Sequence, residues 1–490
     1  MISMDATPNG TRGLQTRIDG RIGALVSTAV ERHHRRRLAA VGHARVLEVP
    51  GGGWATGDPP PRQGCSLEVL IDGAEAIPQM AAELAGASSH VYIAGWHISP
   101  EFCVVRSASP VILRNLLAEV AEVVDVHLLV WAGAPLPLFR PSRNDIRRTM
   151  EDLCRGTRIS WAVDARERPL HCHHEKTIVV DDKIAFVGGI DLSLESGDRF
   201  DSQEHDARAQ RGWHDVSSML KGPAVADVAE HFRLRWREVT GEALDGGAAP
   251  LPAGEHTVQV VRTVPERVYD GVPRGDFRIL ESYLRALRDA RSLVYLENQF
   301  LWSPEIATVL RDKLLDPPSP DFRIVLLLPA KPNTGADDTR GMLAELIEAD
   351  GGDGRLLACT VYARHGALSD QVYVHAKVGI VDDEWLTVGS ANLNEHSLFN
   401  DTEVNMVCRH PELVRATRLR LWAEHLELQP EQVSEDPAEI VDTRWEPIAS
   451  EQLERQKAGQ PLTHRLVRLS GVSPRSERLL GPLQGLLVDG

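Results

Sequence analysis

Two segments of the chain, 201 residues apart, carry histidine, lysine and aspartate at the same spacing. They are His174–Asp181 and His375–Asp382, and each has the form HxKxxxxD. The chain contains only seven lysines, yet one stands two residues after the histidine in each segment, as Lys176 and Lys377. A single HxK would be weak evidence, whereas two complete copies in register indicate a functional pair.

Histidine and lysine at this spacing suit displacement at phosphorus. The apolar run after each HxK predicts a buried strand, and residues i and i+2 of a strand face the same side, so the two side chains project together. Two lysines can neutralise the charge that grows on a phosphodiester during displacement, without a metal ion. One imidazole can attack while the other protonates the leaving alkoxide. We therefore expect the two halves of the chain to share one site, and neither half to work alone.

The elements that must position these segments occur twice in the same order. The runs LEVLI, HVYIAGW and VHLLVW predict strands, separated by helices near residues 74–84 and 112–123. VQVVR, LVYLENQF and RIVLLLP repeat them, with helices near residues 277–288 and 305–315. Alternation of strands and helices is typical of an α/β fold, and its recurrence predicts internal duplication.

The predicted domains are an N-terminal extension (1–64), a first lobe (65–240), a linker (241–255), a second lobe (256–428) and a C-terminal segment (429–490). The linker is rich in glycine, alanine and proline. In the extension, a predicted helix through Ile22, Leu25, Val26 and Val30 leads into the basic run Arg32–Arg37. This run could lie on an anionic membrane surface or form a solvated face. The C-terminal segment is polar and offers no chemistry.

Composition narrows the classes of function. There are 54 basic and 70 acidic residues, a formal net charge of -16, which disfavours bulk attraction to nucleic acid. The N-terminus lacks a secretory pattern and no run of about 18 apolar residues occurs, so we expect cytoplasmic residence with at most peripheral membrane contact. Six cysteines without framework spacing predict reduced thiols.

The doubled HxKxxxxD pattern resembles the phospholipase D superfamily, whose two lobes each bring one such motif to a shared cleft. Further segments are similar to those of its eukaryotic-like phospholipases: Tyr295–Phe300 (YLENQF), and Trp213-His214-Asp215 followed by Gly222-Pro223-Ala224, Phe232 and Arg235-Trp236. The resemblance covers residues 65–425. It implies two homologous α/β/α sandwich lobes with the active site at their interface, and chemistry without a metal or other cofactor.

The resemblance also assigns roles to the motif residues. It implies a covalent phosphohistidine formed on His174, with His375 as the general acid and then as the base that activates water. Lys176 and Lys377 would contact phosphate oxygens. Further substrate-binding candidates are Ser390, Asn392, Asn298 and Gln299, although hydrogen bonds within a turn would explain Asn298 and Gln299 equally well.

Acidic residues complete the predicted site. In the superfamily that the motifs resemble, an acidic residue downstream of each motif usually orients the histidine through its other ring nitrogen. Asp215 and Glu403 are the best-placed candidates here. Asp181 and Asp382 close the two motifs and are expected to hold the turn more than to touch substrate. The first lobe has Gly189 and Asp191 where the second has Ser390 and Asn392. A carboxylate at 191 would repel phosphate, so we do not assign phosphate binding to Asp191.

The histidine-rich run that leads into the first motif could bind a metal ion instead. His171-Cys172-His173-His174 offers side chains that are good zinc ligands. At the matching place, however, the second half has only Tyr373-Val374-His375, and what the two halves share is HxK. Trp96 and Trp131, which close apolar strands of the first half, are expected to pack in the core.

The predicted function is hydrolysis of phosphatidylcholine or phosphatidylethanolamine to phosphatidic acid, with possible transphosphatidylation. The expected partner is a phospholipid at a membrane surface, and the expected state is a monomer. The alternatives are a cardiolipin synthase-like phosphatidyltransferase, a nuclease of the same superfamily, and a binding protein that has lost catalysis. The YLENQF and Trp-His-Asp segments favour the lipase.

Overall fold

The computed structural model of the 490-residue chain describes residues 28–135, 140–168, 171–206, 210–247, 249–331 and 336–470. Its helices are α1 (residues 28–40), α2 (Asp72–Ala85), α3 (Leu113–Val120), α4 (Arg143–Cys154), α5 (Val225–Thr240), α6 (Arg278–Asp289), α7 (Pro304–Leu315), α8 (Ala336–Asp350), α9 (Pro411–Leu426), α10 (Pro437–Ile440) and α11 (Glu446–Lys457). Short 3-10 helices span Ala44–Glu48 and Pro430–Val433, and π-helical turns span His396–Asn400 and Val441–Trp445.

The strands of the first half are β1 (Arg62–Ile71), β2 (His90–Gly95), β3 (Cys103–Val105), β4 (Val111–Ile112), β5 (Asp125–Trp131), β6 (Ser160–Asp164), β7 (Thr177–Val180), β8 (Ile184–Gly188), β9 (Trp213–His214) and β10 (Val216–Lys221). Those of the second half are β11 (His256–Val264), β12 (Asp276–Phe277), β13 (Leu293–Glu297), β14 (Arg323–Leu327), β15 (Leu356–His365), β16 (Leu368–Gln371), β17 (Tyr373–Val374), β18 (Val378–Val381), β19 (Trp385–Gly389), β20 (Glu403–Cys408) and β21 (Leu466–Arg468).

Each half forms a sheet with the same strand order. In the first half the order is β1-β10-β8-β7-β2-β5-β6, and in the second it is β11-β20-β19-β18-β13-β14-β15. In both, the last three strands are parallel and the others antiparallel. The register repeats too, since Thr177 pairs with Val187 in one half and Val378 with Val388 in the other. Internal duplication is therefore confirmed, and β1 joins the two sheets by pairing with β11.

Helices cover both faces of each sheet, which gives the α/β/α layering that was predicted. In the first lobe α2, α3 and α4 pack on one face and α5 on the other. In the second lobe α6, α7 and α8 lie on one face, with α9 and α11 opposite. The parallel strands are buried on both sides, which explains why their sequences are continuous apolar runs. Trp96 and Trp131 are buried and stacked on each other, as expected for core residues.

The N-terminal helix α1 packs on the second lobe. His34 is buried, with its ring 3.9 Å from that of Phe399, and Nδ1 hydrogen-bonds to Glu305 at 2.6 Å. Arg37 pairs with Glu266, whereas Arg32, His33, Arg35 and Arg36 are exposed. Of the predicted helix, Ile22, Leu25 and Val26 lie outside the described residues.

The C-terminal segment folds onto the second lobe, although its sequence pattern indicated no element. Strand β21 extends the second sheet by pairing with β15. Trp445, in the second π-helical turn, is buried against Trp422 of α9 at 5.5 Å between ring centres. The last part of the predicted segment, residues 471–490, lies outside the described residues.

Two predictions about the whole chain can be compared with the structure. All six cysteines lie in the described part of the chain, and no disulfide joins any two of them there. None of the helices in the described part of the chain is long and apolar enough to cross a bilayer.

Candidate active site

The two motif segments enter their strands at the junction between the lobes. His174 and Lys176 immediately precede β7, and His375 and Lys377 immediately precede β18. Each segment is held by the backbone of the opposite half. The amides of His174 and Glu175 both donate to the carbonyl of Thr402, and those of His375 and Ala376 donate to the carbonyl of His214.

Each histidine is oriented by a carboxylate from the other lobe. His174 Nδ1 is 2.9 Å from Glu403 Oε1, and His375 Nδ1 is 2.6 Å from Asp215 Oδ2. The acidic residue downstream of one motif thus contacts the histidine of the other motif. Since Nδ1 is occupied by the carboxylate, Nε2 is the ring nitrogen that would act on a substrate.

The two lysines are buried beside their histidines. Lys176 Nζ donates to the carbonyl oxygen of His174 at 2.6 Å, and Lys377 Nζ donates to that of His375. Lys176 also pairs with Asp191 at 3.2 Å, which explains how the first lobe tolerates a carboxylate there. Histidine and lysine therefore lie together in each motif, although they stand just before the strand.

Electrostatics show that the two half-sites act on one another. Burial lowers the pKa of His375 well below its usual value, and Lys377, Lys176, Arg199 and His174 lower it further, in that order. Two of these four groups are the motif histidine and lysine of the first lobe. The motif histidine and lysine of the first lobe therefore lie close enough to His375 at the junction of the lobes to act on it electrostatically.

Both orienting carboxylates bind their protons unusually tightly. Burial raises the pKa of Asp215 to about 7, against the opposing charge of Lys377. Burial also raises the pKa of Glu403 well above its usual value, against Lys176 and the hydroxyls of Ser390 and Ser397. These hydroxyls both donate to Glu403 at 2.5 Å.

The substrate-binding candidates of the second lobe divide into two groups. Gln299 Oε1 accepts from Lys377 Nζ and Asn392 Nδ2, each at 3.3 Å, and Gln299 Nε2 donates to the hydroxyl of Tyr373 at 2.9 Å. Gln299 and Asn392 thus lie next to Lys377. Asn298 instead accepts from the amides of Phe300 and Leu393, which is the turn-stabilising role that was the alternative for it.

Gly189 and Ser390 occupy equivalent positions and account for a difference between the lobes. A Cβ at Gly189 would lie 2.0 Å from Asp215 Oδ1, so only glycine leaves room for that carboxylate. At the equivalent place in the second lobe, the Ser390 hydroxyl donates to Glu403 instead. The first lobe therefore has glycine where the second has serine, because Asp215 occupies the space that a side chain at position 189 would fill.

Asp181 and Asp382 lie at the opposite ends of β7 and β18 from the histidines. Asp181 accepts from the amides of Ser88, Ser89 and His90, and Asp382 accepts from those of Arg291, Ser292 and Leu293. Both residues have positive φ. Each ties its turn to the start of the neighbouring central strand, a structural role that the sequence favoured.

Glu297 belongs to a buried cluster beneath the site. Its carboxylate pairs with His214 Nε2 at 2.8 Å and His425 Nε2 at 3.0 Å, while His214 Nδ1 meets Asp72 at 3.0 Å. Burial would raise the pKa of Glu297, but the two histidines outweigh it and lower that pKa to about 2. The cluster fixes His214, whose carbonyl accepts the backbone amide of His375.

The four residues considered as zinc ligands do not converge. His171 Nδ1 faces His396 Nδ1 at 2.9 Å, His173 meets Asp164 and Thr402, and His174 meets Glu403. Cys172 packs with Trp96 and Trp131. In the described part of the chain, three other groups have spacing that could hold a metal ion: Asp72, His205, His214 and Glu424; His171, His396 and Asp401; and His214, Glu297 and His425.

A second buried network joins the halves and was not anticipated from the sequence. Arg235 of α5 pairs with Asp164 at 2.8 Å and with Glu175 at 2.5 Å, and the Tyr269 hydroxyl donates to Asp164 at 2.5 Å. Burial would raise the pKa of Glu175, but Arg235 and His231 outweigh it and hold that pKa below its usual range. The sequence hints were Arg235, which belongs to a segment similar to those of the superfamily, and the glutamate between the histidine and lysine of the first motif.

Comparison with known proteins agrees with this site. The family model described as phospholipase D matches residues 83–210 and 363–462, which contain His174 and His375 respectively. Phospholipase D A of Dictyostelium discoideum is 26% identical over 76% of this chain and 36% of its own length. Phospholipase D alpha 1 of Oryza sativa subsp. japonica is 24% identical over 81% of this chain and 70% of its own. The solved phosphatidylserine synthase of Haemophilus influenzae Rd KW20 is 13% identical, with a TM-score of 0.48, over 80% of this chain and 93% of that one.

The duplicated α/β/α lobes and their paired histidine–lysine motifs define a two-motif phosphodiesterase class. The family match and the similar phospholipases relate the chain to the phospholipase D superfamily. The chain spans about a third of the Dictyostelium relative.

Proposed function

We propose that the chain hydrolyses glycerophospholipids, phosphatidylcholine or phosphatidylethanolamine, to phosphatidic acid, and that it transfers the phosphatidyl group to an alcohol when one is present. The observation that carries this proposal is the crossed pairing of His174 with Glu403 and of His375 with Asp215. It supplies two oriented imidazoles from opposite lobes for one phosphorus atom. The phospholipases among the similar proteins support a lipid substrate.

In the first step His174 Nε2 attacks phosphorus, and a covalent phosphatidyl-histidine forms as the bond from phosphorus to the head-group oxygen breaks. His375 gives its Nε2 proton to the departing alkoxide, so that choline or ethanolamine leaves with an intact hydroxyl group. Glu403 accepts a hydrogen bond from Nδ1 of His174 and stabilises the positive charge that the ring gains. The lysines offset the charge that develops on the phosphate oxygens.

In the second step His375, now neutral, removes a proton from water, and the resulting nucleophile attacks phosphorus. The bond from phosphorus to His174 breaks, phosphatidic acid is released, and His375 is again protonated for the next cycle. An alcohol in place of water gives the transphosphatidylation product. The lowered pKa of His375 suits a group that must give up its proton readily.

We propose that the substrate is taken from a membrane surface, without a spanning segment of the described chain, and that the enzyme acts as a monomer in the cytoplasm. The net charge of -16 argues against nucleic acid as the substrate. Gln299 and Asn392 would contact the phosphate beside Lys377, and Ser390 would do so beside Glu403.

The experiment is an assay of lipid products from phosphatidylcholine and phosphatidylethanolamine vesicles, with and without ethanol. We expect phosphatidic acid without ethanol and phosphatidylethanol with it, and neither product from the His174→Ala variant. EDTA should change the rate little, because the two lysines carry the charge neutralisation. Cleavage of DNA with both lipids left intact would overturn the proposal.

A further inference from the structure

Arg199 is a buried cation in the first lobe to which the sequence assigned no function. Its side chain is only 5% exposed. The Cζ atom lies 3.3 Å from the centre of the Trp213 ring, and that centre lies 4.4 Å from the centre of the His375 ring. Gly197 permits this packing, since a Cβ there would lie 2.2 Å from Trp213 Nε1. Arg199 therefore stacks on the aromatic ring that packs against the proposed general acid.

The guanidinium of Arg199 lacks the partners that a buried arginine usually has. Nη1 donates to the Gly197 carbonyl over a long 3.5 Å, and Nε is buried without a hydrogen-bond partner within the described ranges. Among the described residues, no carboxylate forms an ion pair with it. Arg235 is equally buried but meets both Asp164 and Glu175. A buried guanidinium in the state of Arg199 is costly, and a bound anion would offset that cost.

The charges around Arg199 belong to the active site. Burial lowers the pKa of Arg199 to about 10, and Asp191 and then Asp215 oppose this, so the group stays charged at neutral pH. Arg199 in turn acts on His375 beside the two lysines. Asp191 already neutralises Lys176 at 3.2 Å. Arg199 restores the positive charge that Asp191 removes.

We propose that Arg199 is a phosphate-binding residue, which donates N–H groups to non-bridging oxygens of the substrate phosphate as the third cation of the site. The first lobe would thus bind phosphate with Lys176 and Arg199, whereas the second uses Lys377 and Asn392. A planar guanidinium suits two phosphate oxygens better than a lysine does. The inference rests on the proposed function in taking a phosphate ester as the ligand.

The test is titration of the full-length protein with inorganic phosphate, followed by 31P NMR. We expect Arg199→Gln to weaken phosphate binding at least tenfold, and Arg199→Lys to weaken it less. The matched control is Arg106→Gln, since Arg106 also stacks on an aromatic ring, that of Phe200, but is half exposed and pairs with Asp198. The control should bind phosphate as the wild type does.

A pH profile of kcat/KM separates phosphate binding from a merely structural role. Loss of the positive charge raises the pKa of His375, so in Arg199→Gln the limb that reports His375 should move to higher pH, and Arg199→Lys should restore its position. The inference would be overturned if folded wild type and Arg199→Gln bound phosphate with equal affinity, or if neither bound it. If Arg199→Gln does not fold, an Arg199→Lys variant with the phosphate affinity of the wild type would overturn the inference. Weaker phosphate binding in an enzyme inactive on lipids would leave the inference standing and refute only the proposed function.

Discussion

At the scale of single residues, the site depends on four hydrogen-bonded groups contributed alternately by the two lobes. His174 with Glu403 and His375 with Asp215 could be named as candidates from the sequence, because the motifs repeat and acidic residues follow each of them. Which carboxylate meets which histidine could not be inferred from the sequence, since it depends on how the halves dock. Arg199 was missed because no equivalent residue repeats in the second half.

Removal of either orienting carboxylate should impair turnover more than stability. We expect Asp215→Asn and Glu403→Gln each to lower kcat by roughly 10²–10⁴-fold, because the imidazole loses its orientation and the stabilisation of its charged form. Steady-state kinetics on phosphatidylcholine vesicles measures this. Asp442→Asn, which removes a partly exposed partner of Arg323, is the control and should keep the wild-type rate. A kcat within threefold of wild type for both site variants would show that the crossed pairs do not orient the histidines.

The raised pKa of Asp215 also predicts how stability depends on pH. The folded protein holds this proton to about pH 7, whereas the unfolded chain releases it near the ordinary value of 3.8. The stabilisation from the protonated carboxyl is therefore fully present below about pH 4 and is lost as pH rises through about 7. We expect the free energy of unfolding of wild type, relative to Asp215→Asn, to fall between pH 4 and pH 7 in urea titrations. A difference that grows over this range would mean that Asp215 is an ordinary ionised carboxylate.

At the scale of elements, the residues that follow β8 and β19 determine how much room Asp215 and Glu403 have beside them. The alternation of strands and helices, and even the parallel strands of each sheet, could be predicted from their apolar runs. The C-terminal helices and β21 could not, because their amphipathic pattern is short and interrupted by proline. Their burial comes from packing on α9 and β15. The distinction between Gly189 and Ser390 was visible in the sequence, but its reason appears only when Asp215 is seen beside the glycine.

Gly189→Ala tests the fit after β8. The added Cβ would lie 2.0 Å from Asp215 Oδ1, so the carboxylate must shift and His375 with it. We expect kcat to fall at least tenfold in a protein that still folds, as judged by circular dichroism. Gly86→Ala is the matched control, because a Cβ there meets nothing closer than 3.5 Å. A Gly189→Ala enzyme with wild-type kcat would show that the position of Asp215 has little influence on the reaction.

At the scale of the whole molecule, the duplicated lobes form one unit because charged groups are buried between them. Asp164, Glu175 and Arg235 of the first half are joined there by Tyr269 of the second. The sequence predicted the two lobes and their shared site from the spacing of the motifs. It did not predict this network, since isolated Asp, Glu and Arg residues carry no signal of burial until the lobes are assembled.

Arg235→Met should destabilise the whole protein. The substitution leaves two buried carboxylates without their cation, and loss of one partner of a buried ion pair typically costs about 3–5 kcal/mol. Guanidinium chloride unfolding measures the loss. Arg155→Met, which removes only an exposed pair with Asp152, should change the free energy of unfolding by less than about 1 kcal/mol. Equal effects of the two substitutions would contradict the role given to the network.

The division of labour between the two histidines is the central claim, and a leaving group that needs no protonation tests it most directly. With phosphatidyl-p-nitrophenol as substrate, His375→Ala should release one equivalent of nitrophenolate per enzyme in a burst and then stall. The attack by His174 needs no acid for that leaving group, whereas release of the covalent intermediate needs a base. Peptide mapping should find the phosphatidyl group on His174, and His174→Ala should show no burst. A burst from His174→Ala, or a label on His375, would contradict the account.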